Sequence, residues 1–479
     1  MLSFDEYARL DGTALAELIR RRDVSAQEVR QVALGAIARF NPSLNAVLEV
    51  LADASAAEVA ETPAHGAFAG VPFLVKELVL HAAGAPCRMG SRLAQGMSFP
   101  ADTELMARFR RAGLVTIGTT QTPEFGYCAT TEPVAFGPVH NPWRRGYSPG
   151  GSSGGSGAAV GARIVPIAHA NDGGGSIRIP ASSNGLVGLK PTRDRIPTGP
   201  DASDPLFGHA IEFVVTRSVR DTAAMLDAVA GPDVGAPHMI APVAGSFLGA
   251  LACAPRRLRI ACMTRTPFGA PLHPECAASM QHSRALLSDL GHELIDASLS
   301  ADWESFTRHV NVIWCVPTAS GVDAVAQATG RVPSLDMLES ATLACYEAGR
   351  RMSALDVADA LAYFNGVSRG IGRYFEGIDV LLSPVAAQPP PRHGVIDQNA
   401  PGIDALTWTR QTFERFPFTP LFNATGQPAL SLPLYWSSEG LPMGSQFVGR
   451  FGDEATLLTL AAQLEQAQPW AQRQPPLLG

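Results

Sequence analysis

The sequence predicts an α/β protein in which helices cover both faces of a layered sheet, because strand patterns alternate with helix patterns along the chain. The first strand is expected near Val71 to Val75, and a helix around Thr103 to Ala112 leads into the strand LVTIGTT. The strand LRIACMT is likewise followed by a helix, and a further strand begins at Ile378. Apolar runs of strand length between helical patterns are typical of this class.

The chain up to about residue 60 is predicted to be helical, with Asp11 and Ser25 as N-caps before apolar-periodic runs. The segment 133–155 is rich in Pro, Gly and Asn, which predicts an extended loop. We therefore expect an N-terminal helical segment over residues 1–65 and one large domain over residues 66–479.

The composition indicates a globular protein, and the charge favours a small-molecule partner. Of the 479 residues, 46% are hydrophobic and 17% are charged, which is typical of a chain that forms a core. The formal net charge of −7 argues against a nucleic-acid partner, since phosphate binding requires a basic surface.

The sequence also predicts a cytoplasmic protein without metal or cofactor. Its N-terminus interleaves charged with apolar residues, unlike a signal peptide, and no uncharged apolar stretch reaches the length of a membrane span. The seven cysteines are an odd number without a CxxC pair, which favours reduced thiols and gives no zinc-site spacing. A homodimer is left open.

The most informative segment runs from Ser148 to Lys190. It contains two serines in glycine-rich turns, Ser152 and Ser176, which are 24 positions apart. Glycine leaves backbone N–H groups free to approach an oxygen, which acyl-transfer chemistry requires at its serines. Lys76 lies upstream in the apolar run FAGVPFLVKELVL, where burial would lower its pKa. A lysine, a bridging serine and a nucleophilic serine would form a catalytic set.

These three pieces resemble the amidase signature family, whose members hydrolyse amides with a Ser-Ser-Lys triad. The resemblance extends from about Phe68 to Thr192 and resumes at FNATGQPALSLP and LPMGSQFVG. It implies that Lys76 is the base, Ser152 the bridging serine in a cis peptide, and Ser176 the nucleophile. Within the family, NDGGGSIRIPAS and PWAQRQPPLL are most similar to the 6-aminohexanoate cyclic-dimer hydrolases, which open cyclic amides.

The resemblance also implies a single large α/β/α fold with a mixed central sheet. On this basis the core motifs occupy residues 68–192, a variable substrate region occupies 230–420, and the last sheet and helix elements occupy 420–479. Glu77 departs from the pattern, because many relatives carry Asp after the lysine. This difference leaves the surroundings of the lysine less defined.

The glycines before Ser176 are expected to form an oxyanion hole from the backbone N–H groups of Gly173, Gly174, Gly175 and Ser176. On composition alone the same run would be a flexible turn, and a lone lysine at Lys76 would be an exposed strand-end residue. The two serines together with the lysine favour the catalytic interpretation. The G-x-S-x-G pattern at Ser152 and Ser153 is not taken as a nucleophile elbow, because no strand leads into it.

Supporting roles are expected for Asp172 and Arg178, which flank the nucleophile and are placed to pair and brace its loop. Ser153 is a further supporting residue beside the triad. His169, in the strand IVPIAHA, is interpreted as a hydrogen-bonded structural residue and not as a base.

Substrate contacts are expected from apolar residues near the nucleophile, namely Ile177 and Ile179, and from Tyr127. All three side chains are also common core residues. Cys315, next to Trp314, falls where the cyclic-dimer hydrolases place a cysteine in the substrate wall.

We therefore expect a serine amidohydrolase that cleaves small, mainly apolar amides, linear or cyclic, through an acyl-enzyme. A carbamate or an aryl ester would suit the same groups. The glutaminase subunit of a tRNA-dependent amidotransferase is an alternative of another class, but those subunits resemble SIRQPA where this chain has SIRIPA, ending at Ala181. A catalytically inactive relative ranks last, because all three triad positions are occupied.

Overall fold

A computed structural model describes residues 2–63, 65–253, 256–267, 269–297, 299 and 302–478. The helices of this described part are α1 (Phe4–Arg9), α2 (Gly12–Arg20), α3 (Ala26–Leu44), α4 (Ala52–Glu61), α5 (Glu104–Arg111), α6 (Gly154–Gly161), α7 (Arg178–Asn184), α8 (Val219–Val229), α9 (Phe247–Ala250), α10 (Pro274–Asp289), α11 (Trp303–Thr329), α12 (Ser340–Arg351), α13 (Ala354–Tyr374), α14 (Ala405–Arg415), α15 (Pro420–Thr425) and α16 (Glu454–Ala467). The strands are β1 (Val47–Val50), β2 (Val71–Lys76), β3 (Leu114–Thr120), β4 (Ile167–Asp172), β5 (Val187–Lys190), β6 (Ile211–Thr216), β7 (Arg259–Met263), β8 (Glu293–Ala297), β9 (Val380–Pro384), β10 (Ala429–Trp436) and β11 (Pro442–Gly449).

The strands form one 11-stranded sheet in the order β1-β3-β2-β4-β6-β5-β10-β11-β9-β7-β8. The sheet is mixed: β3, β2 and β4 are parallel neighbours, as are β9, β7 and β8, and antiparallel pairs connect these two groups. Every residue of β2, β3, β4, β6 and β11 is buried. Strands buried on both faces require helices on both sides of the sheet, which confirms the predicted α/β/α class.

The N-terminal caps occur where the sequence placed them. The Asp11 side chain accepts the Ala14 N–H at the start of α2, and Ser25 forms a capping box with Glu28 at the start of α3. The prediction of helices throughout this segment was wrong at β1, which pairs antiparallel with the end of β3. Its short run AVLEVL is too brief for periodicity alone to distinguish strand from helix.

The sheet brings the functional residues to one edge. In the parallel strands β2 and β4, Phe73 pairs with Ile167 and Leu74 with Ala168, so both strands end at the same edge. Lys76 is the last residue of β2 and Asp172 the last of β4. Sites in α/β proteins commonly form beyond the carboxyl ends of parallel strands. Among the described helices, none combines the length and the apolar content needed to cross a bilayer.

Candidate active site

Lys76 is completely buried, and its ammonium nitrogen contacts three polar side chains. Nζ lies 2.7 Å from Oγ of Ser152, 3.0 Å from Oγ of Ser153 and 2.5 Å from Oδ1 of Asn171. Burial lowers the pKa of Lys76 to about 7, although the carboxylates of Glu212 and Asp172 act in the opposite direction. A lysine in this setting exchanges its proton near neutral pH.

The two serines beside Lys76 lie directly before helix α6. Ser152 is 2% exposed and the Gly151–Ser152 peptide bond is cis. The Ser153 hydroxyl, besides its contact with Lys76, lies 3.2 Å from the carbonyl of Asn171 and 3.3 Å from its N–H. The structure therefore brings Lys76, Ser152 and Ser153 together, with Ser153 linking the lysine to strand β4.

Asn171 is a site residue that the sequence analysis missed. Its side-chain amide donates to the carbonyl of Leu78 at 3.0 Å, which fixes the amide so that its oxygen faces Lys76. Asparagine carries no catalytic signature of its own. The signal that could have identified Asn171 is its position, one residue before the end of a strand that runs parallel to the strand of Lys76.

Asp172 and Arg178 form a completely buried ion pair with two hydrogen bonds, Nε to Oδ2 at 2.9 Å and Nη2 to Oδ1 at 2.8 Å. Although burial acts in the opposite direction, Arg178 holds the pKa of the Asp172 carboxyl well below its usual range. The remaining guanidinium hydrogens are donated to partners from distant parts of the chain: the carbonyl of Thr419 and the side chains of Asn423 and Gln446. The structure thus brings together the two residues expected to brace the nucleophile loop.

Ser176 lies in this braced loop, and its side chain is partly exposed, as are Gly173 and Gly174. Asn423 donates to the carbonyl of Asp172 at 2.8 Å, and Trp314 Nε1 donates to the carbonyl of Gly173 at 3.3 Å. In a trans peptide the N–H points away from the carbonyl of the same peptide. The N–H of Gly173 therefore points away from Asn423, and the N–H of Gly174 points away from Trp314. Neither makes a hydrogen bond to the described residues.

The carbonyl of Gly175 accepts from Ile179 N at 2.7 Å, so the N–H of Ser176 in the same peptide points away from Ile179 N. The expectation for Gly175 itself requires correction. Its N–H donates to Oδ1 of Asp172 at 2.7 Å and is not available to a substrate oxygen. Gly175 instead serves the shape of the loop, since its φ of 137° and the Thr419 hydroxyl beside it leave no room for a Cβ atom.

The residues expected to contact substrate are mostly packed inside the protein. Ile177 is completely buried in the main core, so its prediction is corrected. Ile179 is 3% exposed and its side chain lies against Gly150 and Gly175, where it packs between the loops of Ser152 and Ser176. The sequence showed that both residues are apolar but not the direction in which they point.

Cys315 is also completely buried, with its Sγ 3.4 Å from that of Cys345. It therefore offers no surface to a substrate, which corrects its prediction. The neighbouring Trp314 is only partly buried, and its ring lies directly beside Gly174. Tyr127 is 8% exposed and packs edge-on against this ring, with the centroids 5.7 Å apart. Trp314, supported by Tyr127, is thus the wall of the site in this region.

Two further buried groups complete the surroundings. Glu77, the departure noted in the sequence, is fully engaged: it accepts from Thr119 at 2.6 Å and from three N–H groups of Arg88. His169 Nε2 lies 2.6 Å from Glu212, consistent with the structural role expected for it. In the described part of the chain, no group of three or more His, Cys, Asp or Glu side chains is arranged to hold a metal ion.

Comparison with known proteins agrees with this geometry. A family model described as Amidase matches residues 28–458. The chain is 38% identical to the 6-aminohexanoate-cyclic-dimer hydrolase of Paenarthrobacter ureafaciens, in an alignment that covers 98% of this chain and 97% of that protein.

Solved structures show the same relationship. A structure of 6-aminohexanoate cyclic dimer hydrolase complexed with substrate matches with a TM-score of 0.91 and 35% identity, covering 98% of this chain and 100% of that one. A bacterial aryl acylamidase of the amidase signature family matches with a TM-score of 0.85 and 26% identity, covering 97% of each chain. The chain therefore belongs to the amidase family, and it is an amidase, a hydrolase of amide carbon–nitrogen bonds.

Proposed function

We propose that this amidase works through a triad of Lys76, Ser152 and Ser176 and forms an acyl-enzyme on Ser176. The observation that carries the proposal is the hydrogen bond of 2.7 Å between Nζ of Lys76 and Oγ of Ser152 in a fully buried setting. A lysine with a pKa of about 7 is partly neutral at physiological pH and can accept a proton from a serine hydroxyl.

In the first half of the reaction, Oγ of Ser176 forms a bond to the amide carbon. Its proton passes to Oγ of Ser152, and the proton of Ser152 passes to neutral Lys76. The proton then returns through Ser152 to the amide nitrogen, the carbon–nitrogen bond breaks, and the amine leaves. Protonation of the nitrogen matters because an amide anion is a very poor leaving group.

The free N–H groups of Gly173, Gly174 and Ser176 donate hydrogen bonds to the substrate oxygen and stabilise its negative charge. Their supporting contacts fix the donors before the substrate arrives, so little reorganisation is needed in the transition state. In the second half, a water molecule attacks the acyl-enzyme through the same proton relay. This step releases the carboxylate and restores the Ser176 hydroxyl.

The substrate class that fits these surroundings is a small neutral amide, either linear or cyclic. Uncharged side chains surround the site: the loop glycines are contacted by Leu206, Ala210, Trp314, Thr419 and Ile179, and Leu78 lies beside Ser152. The ionic pair next to the loop, Asp172 with Arg178, is satisfied internally. Similarity to proteins named for a 6-aminohexanoate cyclic dimer supports inclusion of cyclic diamides.

A substrate panel tests this proposal on the isolated protein. It compares kcat/KM for a cyclic aliphatic diamide, a linear aliphatic amide, an aryl amide, a phenyl carbamate and free glutamine, with Ser176→Ala as the control. We expect turnover of the neutral amides and negligible turnover of glutamine, whose ammonium and carboxylate would be buried without partners. Preference for glutamine would contradict the neutral site and favour the amidotransferase alternative, and preference for the carbamate would change the substrate class.

A further inference from the structure

A cavity of about 190 Å³ with several charged lining residues lies away from the catalytic serines. It is formed by the ends of helices α6 and α7 that are opposite to Ser152 and Ser176, together with the start of α2, the loop before α8 and the C-terminal segment. We call it the arginine cavity, after its charged lining residues: Arg9, Asp11, Arg163, Arg217, Arg220 and Arg473.

The charges of the arginine cavity do not balance. Asp11, its acidic lining residue, is already occupied, because it forms two hydrogen bonds of 2.5 and 2.6 Å with Arg220. Four other arginines of the cavity have no carboxylate within salt-bridge distance among the described residues: Arg9, Arg163, Arg217 and Arg473. The guanidinium of Arg473 lies over the ring of Trp436, 4.2 Å from its centroid, a contact that supplies no negative charge. An unpaired charge is most costly where it is buried.

Two of these unpaired guanidinium groups are buried and adjacent. Arg163 is 4% exposed and donates only to backbone carbonyls, those of Ala8, Ala471 and Arg473. Burial and the neighbouring charge of Arg217 lower the pKa of Arg163 to about 9. Two adjacent cations repel each other, and an anion between or beside them offsets this repulsion.

Arg217 carries the clearest sign of a missing partner. It is 9% exposed and donates through Nη2 to the carbonyl of Leu10, but its Nη1 is buried and has no hydrogen-bond partner in the described structure. The nearby buried Asp221 acts on Arg217 through its charge but does not accept a hydrogen bond from it; its carboxylate accepts the N–H groups of Gly12 and Thr13 at the start of α2. Buried guanidinium donors are normally satisfied.

We propose that the arginine cavity binds a small polyvalent oxyanion of the phosphate class. Phosphate oxygens match the fork of guanidinium donors, and a dianion offsets more than one of the unpaired charges. Trp143 and Trp470 form aromatic walls of the cavity, and the arginines supply the donors for the anion. The site is separate from the catalytic serines and rests on different residues from the proposed triad.

Isothermal titration calorimetry with inorganic phosphate tests the proposal on the full chain, with ionic strength held constant by sodium chloride. We expect saturable binding at one site per chain, and a melting temperature that rises with phosphate because the ligand binds only the folded state. An aliphatic dicarboxylate is titrated in parallel. Binding of the dicarboxylate without binding of phosphate would overturn the phosphate assignment, and absence of saturable phosphate binding would overturn the site.

Three variants locate the binding. Arg217→Met is expected to abolish phosphate binding, and Arg473→Ala to weaken it roughly tenfold or more, the usual effect of losing a charged hydrogen bond. Arg351→Ala, which removes an exposed arginine elsewhere, is the matched control and is expected to bind as the wild type does. Arg473 is exposed, so its variant remains informative if Arg217→Met fails to fold. Wild-type affinity in Arg473→Ala and in any folded Arg217→Met protein would contradict the assignment.

Discussion

Nζ of Lys76 lies 2.5 Å from Oδ1 of Asn171, although the two residues are 95 positions apart in the chain. The contact exists because β2 and β4 are parallel neighbours that end at the same edge of the sheet. The amide oxygen is a neutral acceptor, so it positions the lysine nitrogen without adding the charge that would hold its proton. The proposed base therefore combines a fixed position with a lowered pKa.

The pH profile of the wild type follows from this environment. The pKa of Lys76 is lowered to about 7, so the neutral base is lost as the pH falls through 7. We expect kcat/KM to decline on the acid side with an apparent pKa near this value and to reach a plateau at mildly alkaline pH. Lys76→Met is expected to lower kcat/KM by about 10²–10⁴-fold and to remove this limb, as measured by steady-state assays across the pH range. A variant that retains the limb would assign the base to another group.

The same pKa shift has a consequence for stability. The unfolded chain holds the Lys76 proton up to about pH 10.5, whereas the folded chain releases it near 7, so stability from this group rises with pH between these values. We therefore expect the wild type to gain free energy of unfolding relative to Lys76→Met as the pH is raised from neutral to alkaline. Urea denaturation at several pH values measures the difference, and a constant difference would show that Lys76 is charged in the folded protein.

Asn171→Asp tests the neutral acceptor with an almost isosteric change. A carboxylate 2.5 Å from the lysine nitrogen would raise the pKa of Lys76 by stabilising its charged form. The acid limb of kcat/KM should then move to higher pH by about 1 unit or more, while the alkaline plateau is less affected. Asn171→Ser, which keeps a neutral but smaller acceptor at this position, is the matched control. Its acid limb should stay near the wild-type position. An unmoved limb in Asn171→Asp would contradict the role of Lys76 as the titrating base.

Asp172→Ala tests the ion pair beneath the loop that carries Ser176. The substitution leaves the guanidinium of Arg178 buried without its carboxylate, a change that costs about 3–5 kcal/mol in comparable buried pairs. Chemical denaturation measures this loss, and kcat/KM should fall as the loop loses its support. Asp323→Ala, which breaks an exposed pair with Arg350, is the control and should have a much smaller effect. Equal losses in the two variants would show that the buried pair is not what holds the loop.

Gly174→Ala tests the donors proposed for the oxyanion. An added Cβ would lie 2.7 Å from Cζ2 of Trp314, so the ring or the Gly174 peptide must move, and either shift disturbs the contact of Trp314 with the carbonyl of Gly173 that supports the loop. Loss of one such donor typically lowers kcat by about 10²–10³-fold. Combining it with Trp314→Phe, which removes the clashing atom, should restore part of the activity. Gly366→Ala, at a position with open space around it, is the control and should behave as the wild type. Wild-type activity in Gly174→Ala alone would exclude this peptide from the oxyanion hole.

The parts of the site that the sequence predicted well are encoded locally. The glycine context singled out Ser152, which lies beside Lys76 in the structure, and the apolar flanks of Lys76 indicated its burial. The role of Ser176 stays a prediction. Asp172 and Arg178 carry opposite charges on either side of Ser176, six positions apart, which indicated the ion pair that the structure contains. These inferences used neighbouring residues, whereas the roles within the triad came from the resemblance to the amidase signature family.

The parts that it missed depend on tertiary structure. The partners of Arg178, which are Thr419, Asn423 and Gln446, come from the far end of the chain, and no local pattern relates them to the loop. The errors at Ile177 and Cys315 have the same origin. Apolar character indicates that a side chain avoids water, but whether it does so in the core or in a pocket depends on how the helices pack.

Active-site labelling with a fluorophosphonate, followed by peptide mass spectrometry, tests the central claim most directly. The reagent forms a stable covalent bond only with an activated serine oxygen. We expect a single modified serine, Ser176, with no labelling in Ser176→Ala and strongly slowed labelling in Lys76→Met. Modification of Ser152 or Ser153 in place of Ser176, or a Ser176→Ala protein that is still labelled and hydrolyses amides at the wild-type rate, would contradict it.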